Sequence, residues 1–207
     1  MLSLYVVVVE DFWQAFLRTF SNTFLNDIRY VKRIRPEVKV IGVNTVDSDA
    51  MFKALHNGKP VELVETGLFS DGTSVRLVGK EPFRLCQKYV DDFVLVTNDE
   101  ICAAIKDAFD DTRSILEPAG ALGLAGLKKY LGTNPQLKNG VFVAVTSGAN
   151  INFHQLRFVA ERARVGEGRE ALLSALVPER PGRYVCLLCL LILIVSKSSM
   201  KPFIPDL

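Results

Sequence analysis

VFVAVTSGANINF, residues 141–153, is the stretch whose reading decides the fold. A β-branched run over residues 141–146 stops at Ser147-Gly148-Ala149-Asn150, and a polar-capped helical segment follows. Such a run reads as the buried central strand of an α/β sheet. It delivers a hydroxyl and a small-residue turn to the mouth of the sheet, where open parallel sheets keep their ligands. Gly148 lets backbone approach a ligand closely, and the Asn150 side chain can hydrogen-bond the turn itself. Read alone, Ser147 is also what a strand-end turn commonly carries.

Working outward, the body of the chain alternates between the two periodicities. Residues 39–43 (KVIGV), 61–64 and 93–96 read as short strands, and residues 4–9 as a further one. Residues 48–57 read as a helix that Ser48 can cap and Gly58 ends. Residues 67–78, rich in Gly and Ser, read as a loop running into a weak helix. Residues 82–89 form a helix with Pro82 in its first turn. Thr97-Asn98-Asp99-Glu100 is a capping box, and Ile101, Ala104, Ile105, Ala108 and Phe109 make the apolar face of the helix it opens. Glu117-Pro118 begins another helix through Leu131, with Gly132 as its stop. A helix with a basic outer face spans 151–163. Residues 170–177 alternate enough for a strand, closed by Pro178-Glu179-Arg180-Pro181-Gly182. Strands interleaved with helices of this length imply βαβ units and a mostly parallel sheet, an α/β fold.

Composition narrows the function classes. The 207 residues suffice for one domain or one and a half. The net charge of +2 is small and its charges are interspersed, which argues against nucleic acid or an anionic membrane as partner. Four cysteines and two histidines show no zinc spacing, so no metal site is expected. Unpaired cysteine usage fits a reducing compartment, and Cys186-x-x-Cys189 lies inside a leucine run where a structural role is expected. The N-terminus lacks the basic region of a signal peptide. The apolar run 185–195 is eleven residues, against the roughly 20 a spanning helix needs.

At this point the residues carry a family. RPEVKVIGV (35–43), FRLCQKYVDD (83–92), ICAAIKDAF (101–109), RSILEPAGALGLAG (113–126), TSGANINFHQLRFVAERA (146–163) and GEGREALLSALVPERPGRY (166–184) closely resemble the pyridoxal-phosphate-dependent threonine dehydratases of isoleucine biosynthesis. The resemblance implies a tryptophan-synthase-β-like fold (fold type II of the pyridoxal-phosphate enzymes), of which this chain holds the C-terminal part of the catalytic domain. It implies pyridoxal 5'-phosphate as cofactor, L-threonine as substrate, 2-oxobutanoate and ammonia as products, and a homo-oligomer. It places Ser147 against the pyridine nitrogen, Gly148 beside the ring, and Asn150 in the same cofactor-binding turn. A hydroxyl there, unlike a carboxylate, need not keep the ring nitrogen protonated. Were the source a plant, it would place the protein in the plastid stroma.

The same resemblance divides the chain: residues 1–29 an aberrant N-terminal segment, 30–166 catalytic-domain sequence, 167–184 the start of an ACT-like regulatory domain, and 185–207 an unrelated apolar tail. The family's Schiff-base lysine, preceded by Ser-Phe, has no counterpart here, so no catalytic residue is assigned. Where the family has a glycine-rich phosphate loop, this chain has Glu10-Asp11-Phe12-Trp13-Gln14-Ala15. Read one nucleotide earlier, codons for residues 6–15 can spell a glycine run followed by Phe or Leu, then Leu and Ala. Out-of-frame translation would explain the segment, provided the first bases of those codons are mostly G. The tail after Tyr184 reads as translated intron. The expectation is a fragment of L-threonine ammonia-lyase without activity of its own. The alternative is a non-catalytic module that pairs with full-length dehydratase subunits. Glu117 reads as a helix-dipole carboxylate, although in some relatives the matching Glu helps hold a cation. Gly120, Gly123 and Gly126 read as a helix face pressed on the sheet, and His154 as a helix residue without a nucleophile partner.

Overall fold

The computed structural model describes residues 4–9, 23–137, 139–171, 176, 185 and 188–189, with 4–9 and 23–27 as backbone. The readings of residues 10–15 as a lost phosphate loop, and of most of 172–207 as a strand, turn and apolar tail, lie outside the described residues. Two compact units divide the chain, residues 1–171 and 172–207; the site lies in the first.

In chain order the elements are β1 (Leu4–Val9), α1 (Thr23–Ile34), β2 (Lys39–Thr45), α2 (Ala50–Asn57), a 3-10 turn (Asp71–Thr73), α3 (Lys80–Tyr89), β3 (Asp92–Val96), α4 (Asn98–Thr112), α5 (Pro118–Thr133), a second 3-10 turn (Pro135–Leu137), β4 (Val141–Ala144) and α6 (Phe153–Gly166). The strands form one parallel sheet in the order β3-β2-β1-β4. Parallel pairing requires crossover helices, and the loops that follow all the strands therefore collect at one edge.

β2 is covered on both faces: every residue from Val40 to Thr45 is buried, which explains its near-continuous apolar run. On one side Ile41 and Val43 meet α4, α5 and α6 in a core that includes Ile101, Ile105, Leu122, Val159 and Ala163. On the other, Met51, Ala54, Phe83 and Cys86 of α2 and α3 form a second cluster, with Phe93 packed against it. Gly42 leaves the space that the Phe93 ring fills. α5 lies close on the sheet because its contact face is small: a Cβ at Gly126 would run into the Val43 methyls. Pro118 occupies its first turn, where no amide donor is needed.

Several local expectations are corrected. Residues 61–64 form no strand: β2 already has a neighbour on each side, so no inner edge is free for them. Leu63 buries its side chain and takes one backbone bond, donating to the Arg76 carbonyl at 2.8 Å, while Val64 is 87% exposed. The 141–146 run is not central. β4 ends at Ala144 and closes the described sheet on one side, with Val141 and Val143 exposed. Ser48 does not cap α2; its hydroxyl accepts from the Val75 amide at 3.2 Å. Gly58 ends α2 as expected, at φ 69°. Gly132 does not stop α5, which continues to Thr133 and ends at Asn134. Phe109 faces outward, 40% exposed under the Arg113 guanidinium, because α4 buries Cys102 and Ala103 as well as its expected face. No described helix is long and apolar enough to cross a membrane.

Candidate functional site

The carboxyl ends of β2, β3 and β4 deliver three polar segments. The turn after β4 carries Ser147, half-buried, and Gly148, Ala149 and Asn150, exposed. Gly148 stands at φ 69°, a left-handed conformation that side chains disfavour. The turn is held from below by the start of α5. The Ser147 amide donates to the Gly120 carbonyl at 3.4 Å, and the Glu117 amide donates to the Gly148 carbonyl at 3.0 Å. The Glu117 carboxylate accepts from the Asn150 amide at 3.2 Å. A Cβ at Gly120 would land on the Ser147 carbonyl oxygen, and one at Gly148 would land on the Glu117 carboxylate. Gly120 thus presses on the serine turn, whereas Gly126 presses on the sheet.

Among the described residues the Ser147 hydroxyl makes no hydrogen bond, although its amide is engaged by the Gly120 carbonyl. A half-buried hydroxyl with free donor and acceptor capacity, set in a rigid turn at a strand end, is equipped to meet a polar ligand atom. The Asn150 side chain has no described hydrogen bond to the turn; its amide makes the bond, to Glu117.

The second segment is one the sequence reading left as a loop. Phe69-Ser70-Asp71-Gly72-Thr73-Ser74 winds through the first 3-10 turn and reaches the same mouth, where a Cβ at Gly72 would stand 3.1 Å from the Ala119 methyl of α5. It is internally fixed. The Ser70 and Thr73 hydroxyls are 2.6 Å apart, and the Ser74 hydroxyl donates to the Ser70 carbonyl at 2.9 Å. The Gly67 amide donates to the Asp47 carbonyl at 2.9 Å, tying the loop to the end of β2. The third segment is the start of α4, where the Asn98 amide group donates to the Asp47 carboxylate at 3.1 Å. Asn98 Oδ1 and the Thr45 hydroxyl are both buried without a described partner. A sequence signal for these residues existed in the density of Ser, Asp, Gly and Thr over 70–74 and in the polar residues that break the β2 run at Asn44.

The fit to pyridoxal phosphate is to the ring edge. Ser147 offers a neutral hydroxyl, Gly148 and Ala149 leave room above the turn, and the Glu117 carboxylate is spent on Asn150. Of the lysines, Lys53 alone follows a Phe, and it stands in α2 paired with Asp49 at 2.9 Å. Lys32, Lys106, Lys128 and Lys129 are likewise paired with carboxylates. No lysine of the sequence follows a Ser-Phe pair. Among the described residues no cluster of His, Cys, Asp and Glu is arranged to hold a metal ion.

Comparison with known proteins is specific. Residues 28–148 match the model of the pyridoxal-phosphate dependent enzyme family. Over 155 residues the chain is 58% identical to the biosynthetic L-threonine dehydratase of Burkholderia multivorans, covering 75% of this chain and 30% of that protein. The chloroplastic biosynthetic threonine dehydratase of Arabidopsis thaliana is 52% identical over 158 residues, 75% of this chain and 26% of that protein. Among solved structures, the processed form of threonine deaminase isoform 2 from Solanum lycopersicum superposes with a TM-score of 0.68 at 36% identity, covering 79% of this chain and 44% of that one. Maize serine racemase, at 18% identity and a TM-score of 0.63, shares the fold. The chain thus spans between a quarter and a third of the length of these curated relatives.

Proposed function

This chain belongs to the pyridoxal-phosphate dependent enzymes, and from that premise we propose that its first unit is the ring-facing wall of a threonine dehydratase active site. The observation that carries this is the Ser147 hydroxyl, half-buried at the carboxyl end of β4 and without a hydrogen-bond partner among the described residues, inside a stretch closely similar to biosynthetic threonine dehydratases. When bound, the cofactor supplies the electron sink that lets an amino acid lose its α-proton and its β-substituent.

What this chain's own residues do is narrower. Ser147 would hold the ring nitrogen through a neutral hydroxyl, which need not force a proton onto it. Gly148 admits the ring edge next to backbone. The start of α5 holds the serine turn in place, and the Asp71–Thr73 turn packs beside it against Ala119. L-Threonine is the substrate class that this reading implies. The 207-residue polypeptide carries no lysine in the family's setting, so it lacks the covalent tether and base that the chemical step needs. Purified, it is expected to release no 2-oxobutanoate from threonine above background; robust turnover would overturn the reading.

A second reading has its own observation. β4 exposes Val141 and Val143 at the end of the described sheet, an edge on which another polypeptide can add a strand. The chain is then a non-catalytic module that pairs with intact dehydratase subunits. Co-expression with a tagged full-length dehydratase separates the two readings: stable co-purification supports the module.

A further inference from the structure

We propose that Glu117 is a positioning residue for Ser147, acting through its hydrogen bond to the backbone of the serine turn and not through its charge at the start of α5. The inference deepens the ring-facing assignment of Ser147 and rests on it for its ligand arm alone. Glu117 occupies the N-cap position of α5, yet its side chain makes no capping bond to its own helix. The carboxylate instead turns across to the loop after β4 and accepts from the Asn150 amide at 3.2 Å, while the Glu117 amide donates to the Gly148 carbonyl at 3.0 Å. One residue therefore grips the turn on both sides of Ala149. The third grip comes one helical turn on, where Gly120 receives the Ser147 amide at 3.4 Å and has no side chain to push the Ser147 carbonyl away.

The other half of the contact is equally specific. Gly148 takes a left-handed φ of 69° and carries no Cβ, and a Cβ there would occupy the place of the Glu117 carboxylate. The carboxylate and the glycine are thus a matched pair: the missing side chain makes the room that the carboxylate uses. Ser147 is held by Gly120 through its own amide and stands directly before the two positions that Glu117 grips. Its hydroxyl has no other described partner to hold its direction, so its orientation is inherited from the backbone that Glu117 and Gly120 fix.

Charge and reach separate this role from a helix-dipole role. A dipole effect needs a negative charge in the first turn and is indifferent to one methylene. A bond to Asn150 needs an acceptor at the glutamate's length, which a neutral carbonyl also supplies, though less strongly than a carboxylate. The test uses the full 207-residue chain and three variants, Glu117→Gln, Glu117→Asp and Glu117→Ala, with amide hydrogen exchange at Asn150 read by NMR. Glu117→Gln keeps the length and an oxygen acceptor, and is expected to hold Asn150 protection within about threefold of the parent. Glu117→Asp keeps the charge but falls short of Asn150, and is expected to lose protection by about tenfold or more, as is Glu117→Ala. If Asp preserves protection and Gln loses it, the charge is what matters and the proposal is overturned. If all three leave Asn150 unchanged, the bond does not form and the proposal is overturned as well.

The ligand arm uses pyridoxine 5'-phosphate, a ring and phosphate without the aldehyde that a lysine would capture. Ser147→Ala is expected to weaken its binding by about tenfold, Glu117→Asp by a similar factor, and the double variant by little more than either alone, because both changes act on one hydroxyl. Full additivity would overturn action through Ser147. If Ser147→Ala has no effect on binding while the exchange results hold, the ring-facing assignment fails and the positioning of the turn by Glu117 stands.

Discussion

At Gly120 the absent side chain is the geometry of the site. The Ser147 carbonyl oxygen occupies the place of a Cβ, and its neighbour there is backbone, which cannot rotate away. Gly120→Ala is therefore expected to destabilise the fold by about 3 kcal/mol or more, or to displace the turn. Gly58 is the control: it has the same positive φ, 69°, that Gly148 adopts, but open space around it. Gly58→Ala should cost about 1 kcal/mol, the strain of a left-handed residue alone. Ser147→Ala, which removes a hydroxyl without a described partner, should change stability by less than about 0.5 kcal/mol while it damages ligand binding. Urea denaturation of the three variants ranks these effects, and equal losses at Gly120 and Gly58 would contradict the packing described. The residue scale also marks what a sequence can disclose. That Ser147 and Gly148 stand in a turn after a strand was legible because a strand, a hydroxyl and a glycine follow one another along the chain. The role of Glu117 was not, because its partner Asn150 is 33 positions away and only the fold brings them together.

Among the elements, α4 shows how far local signals reach. Thr97 accepts from the Glu100 amide at 3.3 Å and Glu100 accepts from the Thr97 amide at 2.7 Å, the reciprocal box that the sequence Thr-Asn-Asp-Glu announces. Thr97→Ala is expected to cost about 1 kcal/mol, measured by thermal or urea unfolding. α6 carries the same device in Asn152 and Gln155, which the sequence reading missed by starting the helix at Ile151. Where signals are weaker, packing decides. Gly132 sits at an exposed place in α5 with nothing near it and is tolerated, and the helix ends two residues later, where the Asn134 side chain donates to the Tyr130 carbonyl at 2.9 Å. The inner side of α4 gives a pH prediction. Burial, and then the nearby Asp99, push the Cys102 thiol up from 9.0 to about 12. The unfolded chain releases this proton near the lower value and the folded chain near the higher. Its contribution is thus full below about pH 9, and stability falls as pH climbs from there toward 12. Urea midpoints at about pH 8 and about pH 10.5 should diverge more for the parent than for Cys102→Ala, the other titrating groups being common to both.

The whole molecule turns on an asymmetry of its sheet. β2 is sealed on both faces, whereas β4, at the other side of the order β3-β2-β1-β4, leaves Val141 and Val143 44% and 46% exposed. The burial along β4 alternates, with Phe142 and Ala144 packed against the core shared by α4, α5 and α6 and the two valines on the opposite face. The sequence hides that alternation, and so residues 141–146 read as a central strand: an uninterrupted β-branched run carries the same signature whether its outer face is covered by this polypeptide or by something else. An apolar strand at a sheet edge without Lys, Pro or a bulge among its residues is a template for another strand. The expected consequence is concentration-dependent self-association of the isolated chain. Val143→Lys places a charge at mid-strand on the exposed face and leaves Phe142 and Ala144 in the core, so it should shift the weight-average mass in sedimentation equilibrium toward the monomer with the far-ultraviolet circular dichroism unchanged. Phe142→Lys, on the packed face, should unfold the same strand instead. If Val143→Lys leaves the mass distribution of the parent untouched, the β4 edge is not the adhesive surface, and the reading of the chain as a strand-pairing module loses the observation that favours it.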